Sequence, residues 1–435
     1  MWKVYLRQIV RLLRENKFFS VVYILGTALS VAMIMLILVT YHIKSGDIGV
    51  EDRRSRTAYV IRGYAVPEGE TYWSTSSFLS PEVVEKWFYP VKSAEAVSIL
   101  VKGNSLLYSD SEQRYEQISA TYTDAAFWRI FSMRFLEGHG FSEADVKGKV
   151  TRVVIDRTTA RRLFGTTDVV GRPLRIDWQE YRVCGVVDDV PTYFSDASSH
   201  IYLPYTTNDY AQSKGRTGNV KLGMANCLFL LRSPSDLPAL KQELEHQVQL
   251  INGAGGKYRF SIGDQPYGVS ERMVKMLRGM DADKKVVERT MRLTLVILVL
   301  FLLVPAINLS GLIVARMKKR AEELGVRKAF GASTSSLMMQ MFVENFVQML
   351  IGGVLGLLMA YCLFRAVGSV MLPDINSMII GASAEGYSSI RFWHVIDLTT
   401  VGYVLAVTFL LNLVSTLLPA WRYCRVPVVD ALNKR

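Results

Sequence analysis

The side chains that most often move protons or hold metals are sparse in this sequence and badly spaced for either task. His42, His139, His200, His246 and His394 are scattered, with no H-E-x-x-H pair and no cysteine and histidine at zinc-ligand spacing. Asp188, Asp189, Asp196 and His200 are close enough in sequence to hold a cation, but they follow a strand-like run, where acids usually serve as turn formers and caps. No G-x-S-x-G is present. The nearest approach to a phosphate loop, Gly253 to Lys257, has Ile251 where the first glycine belongs and Tyr258 after the lysine. The residues therefore predict no catalytic constellation, no metal and no cofactor. What remains is mechanical chemistry in the segment from Arg316 to Ser333. Gly325 and Gly331 bound a short helix in which Leu324, Val326, Ala329 and Phe330 are apolar and Arg327 and Lys328 are charged, a knob with a polar rim suited to a groove on a soluble partner.

The elements that must position that knob are membrane spans. Of 435 residues, 50% are hydrophobic and 21% charged, with a mean hydropathy of +0.19, too apolar for a disordered chain and unusual for a soluble one. Phe18 to Tyr41, Leu293 to Ala315, Phe346 to Phe364 and Leu398 to Leu418 contain no Asp, Glu, Lys or Arg. Each is long enough to cross a hydrocarbon core of about 30 Å at about 1.5 Å per residue. The first is too long for the apolar region of a signal peptide and is read as an uncleaved anchor. The formal net charge of +12 is concentrated in residues 1–17, 316–335 and 421–435, which puts both termini and the loop from 316 in the cytoplasm. That charge is a topology signal, and no nucleic acid is expected.

The expected architecture is an α+β membrane protein: four transmembrane helices with a large mixed α/β extracytoplasmic domain between the first and second. Residues 1–17 are read as a cytoplasmic amphipathic helix lying on the membrane lipid, 18–41 as the first span, and 44–268 as the outer domain, in two lobes that part near 115–120 and rejoin near 220. A stalk helix over 269–292 then leads into the second span at 293–315, the cytoplasmic loop at 316–335, the third span at 337–366, an outer loop at 371–394, the fourth span at 395–418 and a tail at 419–435. In the outer domain, Val and Ile alternation predicts strands over 152–156, 173–177, 181–187 and 227–231. Helices are expected over 158–164 and 236–251, the latter capped by Ser235 or Asp236. Cys184 and Cys227 could pair or stay as buried thiols. Gly352 and Gly356 form a G-x-x-x-G pair that lets another helix come close. Asn308 in the second span reads as a helix-to-helix hydrogen-bonding group, and Glu344, at the cytoplasmic side of the third, as an ionisable candidate.

The run Glu323, Leu324, Gly325, Val326, Arg327, Lys328, Ala329, Phe330, Gly331 and Ala332 resembles the E-x-G-x-R-K-A-x-G-A signature of FtsX/MacB-type ABC transporter permeases. The likeness extends through Asn308, Arg316, Glu344 and Gly352 to Gly356, through Pro419 to Leu432, and through the stretch 127–190, which is similar to the MacB-like periplasmic domain. The resemblance implies a permease subunit in the bacterial inner membrane, working as a homo- or heterodimer, with residues 323–332 seated on an ABC ATPase. It implies also that stalk and outer domain move when the ATPase closes, in export or extraction of a periplasmic or membrane substrate, sometimes with a periplasmic adaptor or outer-membrane component. Fused members carry the ATPase at their N-terminus; this sequence has no Walker motif, so a separate ATPase subunit is expected. The alternatives weighed are a membrane sensor with a ligand-binding outer domain and a membrane-bound hydrolase, the second disfavoured because no nucleophile and base can be named.

Overall fold

The computed structural model describes residues 17–67, 74–109, 113–213, 221–255, 257–279, 283–297, 299–300, 330–331, 333–371, 401–403, 405–407, 409–410 and 413. They fall into two compact units: Met1–Tyr41 with Lys284–Met371 and Arg391–Arg435, and His42–Asp283 with Leu372–Ile390.

The first unit is helical. The helix Lys17–Ser45 enters it over 29 residues and the helix Thr334–Met371 runs for 38. Their windows Ser20–Ile43 and Phe346–Phe364 are long and apolar enough to cross a membrane. Residues 284–297, 299–300 and parts of 401–413 are also helical, and most of the expected second and fourth spans lie outside the described residues. Side chains on Lys17–Ser45 divide by face. Ala28, Val31, Ala32 and Met35 are buried, while Val21, Leu25 and Leu29 are exposed, the side that apolar lipid would cover.

The second unit is built on two sheets. The strands are β1 (Thr57–Val60), β2 (Gly63–Pro67), β3 (Thr75–Leu79), β4 (Ala94–Ser109), β5 (Arg114–Thr123), β6 (Phe135–Gly138), β7 (Arg152–Asp156), β8 (Pro173–Ile176), β9 (Gln179–Val187), β10 (Ile201–Pro204), β11 (Leu222–Gly223), β12 (Asn226–Leu231) and β13 (Tyr258–Ser261). The larger sheet runs β1-β12-β4-β5-β10-β7-β9-β6, with β8 bridging β4 and β9, and the smaller runs β11-β3-β2-β13. Pairing is antiparallel except for β5 with β10 and β7 with β9, the parallel pairs that need long crossovers. Ile99, Val101, Ile155, Val186, Tyr202 and Phe229 are fully or almost fully buried among these strands.

Local chemistry sets the helices. Asp156 ends β7 and accepts the amide of Thr159 at 2.7 Å, capping Arg157–Phe164, and Gly165 closes that helix at φ 72°. The helix Leu237–Gly253 follows a tight turn in which Ser233 and Asp236 form a reciprocal capping pair. The elements over 152–187 and 226–253 thus lie where alternation puts them, while the cap expected from Ser235 or Asp236 is instead made one turn earlier by Ser233 together with Asp236.

Three expectations are corrected or resolved. No break separates lobes at 115–120: β5 is unbroken there and pairs with β4 over ten positions, and the smaller sheet is instead assembled from residues 63–79 and 222–261. The stalk is not one helix over 269–292. Its first part, Val269–Arg278, stops at Gly279, whose φ of 102° suits only a residue without Cβ, and helix resumes at 284. Cys184 and Cys227 are both free and buried, and burial pushes the Cys184 thiol up to about 12.

Candidate functional site

Among the residues singled out from the sequence, Asn308, Glu323 to Ala329 and Ala332 lie outside the described residues, as does the amphipathic segment 1–16. Phe330 is 88% exposed and precedes Gly331 at φ 90°, so the loop turns sharply just before the helix that begins at Thr334. Glu344 lies within that helix.

Gly352 and Gly356 face the helix Lys17–Ser45. A Cβ at Gly352 would stand 2.8 Å from Thr27 Cβ and 3.0 Å from the Ile24 carbonyl, and one at Gly356 would stand 2.6 Å from the Ala28 carbonyl. Gly353 differs, with its nearest neighbour, Leu405, at 3.4 Å. Backbones can approach this closely only where side chains are missing.

The acids weighed as a cation site are dispersed. Asp188 pairs with Arg157 at 2.9 Å, Asp189 accepts the Thr158 amide, Asp196 binds Arg272, and His200 Nδ1 contacts Asp156. Among the described residues no three His, Cys, Asp or Glu side chains gather to hold a metal.

What the fold does gather is a set of charges around the helix Val269–Arg278, with Lys275 and Asp196 buried, Arg272 largely so and Asp264 half exposed. Tyr59 of β1 and Tyr267 exchange backbone hydrogen bonds of 3.0 and 2.9 Å, so their rings stand side by side under that helix. Gln265, itself buried, stitches the same region. Its Oε1 accepts the Ile61 amide and its Nε2 donates to the carbonyls of Arg62 and Ile262. Arg272 lies over the Tyr59 ring at 4.0 Å and donates to both oxygens of Asp196, with Nη2 to Oδ1 at 2.7 Å. One turn on, Lys275 lies 4.7 Å over the Tyr267 ring and donates to Asp264 Oδ2 at 2.7 Å, while Tyr267 donates to Asp264 Oδ1. Each cation therefore has a carboxylate and an aromatic face, the two partners that hold a desolvated cation best.

A second pair adjoins the first. Arg54 bonds Glu51 at 2.6 Å, donates to the carbonyl of Ile43 near the end of Lys17–Ser45, and packs over Phe194, two residues before Asp196. Gly49, at φ 55°, lets the chain pass Phe194, since a Cβ there would meet the ring at 2.7 Å. The segment leaving the first helix and the segment leading to the second are thus anchored within one buried neighbourhood.

The electrostatics divide the two acids. Burial pushes the Asp196 carboxyl up, but the Arg272 guanidinium outweighs it and holds the group below its ordinary range. Burial raises Glu51 and prevails there over the opposing pull of Arg54. Glu51 Oε1 and Arg272 Nε are buried without a hydrogen-bond partner, so the cluster is not saturated.

Elsewhere in this unit a cleft of about 940 Å³ opens beside Tyr89, Asp124, Glu85 and Tyr205. Tyr89 donates to Asp124 at 2.6 Å and Tyr205 to Glu85. Asp124 also accepts from Ser98 and from the amides of Ile99 and Phe127, which makes it a structural node of the cleft floor.

Sequence reasoning missed Arg272, Lys275 and Asp264 altogether and read Asp196 as a turn residue. The available signal was the spacing of Arg272, Lys275 and Arg278 at every third position of an amphipathic helix.

Comparison with known proteins gives two family matches. The MacB-like periplasmic core domain matches residues 20–247 and the FtsX-like permease C-terminal region matches 295–428. The macrolide export ATP-binding/permease protein MacB of Bordetella avium (strain 197N) is 28% identical over 294 residues, covering 62% of this chain and 41% of that protein. Its namesake in Escherichia coli (strain K12) is 26% identical over 246 residues, covering 55% and 34%. The chain thus spans between a third and two fifths of the length of these relatives. The periplasmic region of MacB from Actinobacillus actinomycetemcomitans superimposes with a TM-score of 0.36 at 14% identity, covering 53% of this chain and 96% of that one. The extracellular domain of the transporter YknZ from Gram-positive bacteria gives 0.33 at 16%, covering 47% and 99%.

Proposed function

Because this chain belongs to the FtsX/MacB-type permease family, we propose that it is the membrane subunit of an ABC transporter. In this reading four spans, at 18–41, 293–315, 337–366 and 395–418, cross a bacterial inner membrane with both termini in the cytoplasm. A separate ATPase seats on residues 323–332, and two permease copies work together. Closure of the ATPase on ATP pushes the loop, and the push reaches the outer unit through residues 42–54 and 264–278. The relatives bear the name macrolide export ATP-binding/permease protein, and we carry over export or extraction from the membrane as the task, with no cargo assigned.

The observation that supports this reading best is the anchoring of both connecting segments by buried charge. Arg54 holds the Ile43 carbonyl and Arg272 holds Asp196 within one unit. A polypeptide joint meant only to tether could be exposed and loose, whereas one that transmits force has to be stiff where it enters the moving body.

The test uses the full chain co-reconstituted with its cognate ATPase. Arg327→Glu or Gly325→Pro is expected to abolish chain-stimulated ATP hydrolysis and co-purification of the ATPase while leaving membrane insertion intact. Stimulation equal to that of the unaltered chain would contradict the proposal.

A further inference from the structure

On one side β4 outruns its neighbour. The ladder with β5 stops at Leu100, opposite Thr123, while Ala94 to Ser98 run on against β12 alone. Ile99 faces the side that β5 vacates: its amide donates to Asp124 Oδ2 at 2.8 Å, and its carbonyl accepts from Thr123 Oγ1 at 2.6 Å. Main-chain groups two residues apart on a strand point to the same edge, so the N–H and C=O of Val97 point there too. Among the described residues neither of them has a hydrogen-bond partner.

Two side chains stand in for the missing strand. The Asp124 carboxylate takes the place of a strand carbonyl at Ile99, and Arg129 Nη2 takes the place of a strand amide at the Glu95 carbonyl, 3.2 Å away. Val97 is the open rung between them. The cleft of about 940 Å³ lies along this edge, with Ala94 to Val97, Asp124 and Arg129 in its lining. Sheet edges are normally covered or blunted, whereas this one opens onto a slot beside four extended residues, about 13 Å of strand.

The walls of the slot differ in charge. Phe88 packs on Phe229 with ring centres 5.9 Å apart, and Phe229 is opposite Val97, so the turns Pro81–Val83 and Val84–Phe88 cover the face that bears Val97. They bring exposed Glu82 and Glu85 to the cleft. Phe127 and Trp128 pack on Tyr202, which is in register with Thr121 and through it with Lys102, on the opposite face. The helices Phe127–Ile130 and Glu143–Lys147 therefore form the other wall, joined by the contact of Trp128 with Phe141. Arg129, Lys147 and Lys149 line it, and Glu143 is offset by Lys147 at 3.8 Å.

We propose that this edge accepts an extended segment of another polypeptide as an added strand, antiparallel to β4 in the lane that β5 leaves, with basic side chains toward Glu82 and Glu85 and acidic ones toward Arg129 and Lys149. Main-chain bonds to Val97 supply affinity, and the two walls select the alternation. An antiparallel partner directly opposite Val97 shares its face, so the amides that bond β4 belong to the basic phase of the segment. The inference concerns the second unit alone and stands or falls independently of the transporter reading.

The probe is a fluorescein-labelled hexapeptide, Lys-Val-Lys-Glu-Val-Glu, titrated with the full chain in detergent and read by anisotropy. The unmethylated peptide should bind saturably. N-methylation at its third and fifth residues, the basic phase, should abolish binding, while N-methylation at the fourth and sixth should leave it in place. Val97→Pro removes the edge amide and spares the rungs to β12, so it should weaken the unmethylated peptide about fivefold. The methylation arms leave the protein untouched and decide the matter even where Val97→Pro disturbs the sheet. Any other methylation pattern overturns the proposal. Equal binding by both methylated peptides would assign the cleft to side-chain recognition of a charged amphiphile, and no saturable binding of the unmethylated peptide would leave the edge without this occupant. None of these outcomes bears on ATPase coupling.

Discussion

His200 Nδ1 lies 2.6 Å from Asp156, the residue that caps Arg157–Phe164, so one carboxylate serves both a ring and a helix end. That hydrogen bond, opposed by partial burial, raises the imidazole above its ordinary value. The native state then keeps its proton to higher pH than the unfolded chain does, and the stabilisation is complete below about pH 6.5 and lost as pH rises through the folded-state value. The difference in thermal midpoint between the unaltered chain and His200→Gln should be larger at about pH 5.5 than at about pH 8.5. A difference independent of pH would show that the pair does not titrate as described. Arg272 and Asp196 follow another logic. Each buried charge costs several kcal/mol to desolvate, so the pair is weak evidence for stability and better evidence for a specified position. Neither partner was legible as such in the sequence: they are 76 residues apart, and nothing local distinguishes Asp196 from the neighbouring acids at 188 and 189.

At the scale of elements, Gly356 brings Thr334–Met371 against Lys17–Ser45 with no room for a methyl group. Gly356→Ala should lower stability by about 1–3 kcal/mol, the usual cost of overpacking, whereas Gly353→Ala, with 3.4 Å to its nearest neighbour, should change it by much less. Thermal denaturation of the purified chain in detergent measures both, and equal effects would contradict the assigned contact. The elements that sequence reading recovered share a physical trait. β7, β9 and β12 carry Val, Ile or Leu runs bounded by caps or turns, so their burial is written locally. β5 was misread because Ala120, Thr121 and Thr123 occupy buried positions spread over both of its faces and its first residues are polar; it is a strand because β4 and β10 flank it. The stalk was misread as continuous because a single glycine, Gly279, sits in a region otherwise suited to helix, and only its backbone angle shows that the helix ends there.

Over the whole molecule, most of the second unit is one insertion between helices, which the chain enters at His42 and leaves at Asp283. Both passages bear buried cations, Arg54 on the way in and Arg272 with Lys275 on the way out. Under the proposed transporter reading, these two passages are the routes by which motion of the membrane helices would reach this unit. The most direct measurement of that claim is the distance between labels at exposed Ser336, in the helix Thr334–Met371, and exposed Glu245, in the second unit, in proteoliposomes containing the chain and its ATPase, compared without nucleotide and with trapped ATP. The account predicts a nucleotide-dependent shift that disappears in Arg327→Glu. A distance indifferent to nucleotide, or a shift that persists in Arg327→Glu, would contradict it.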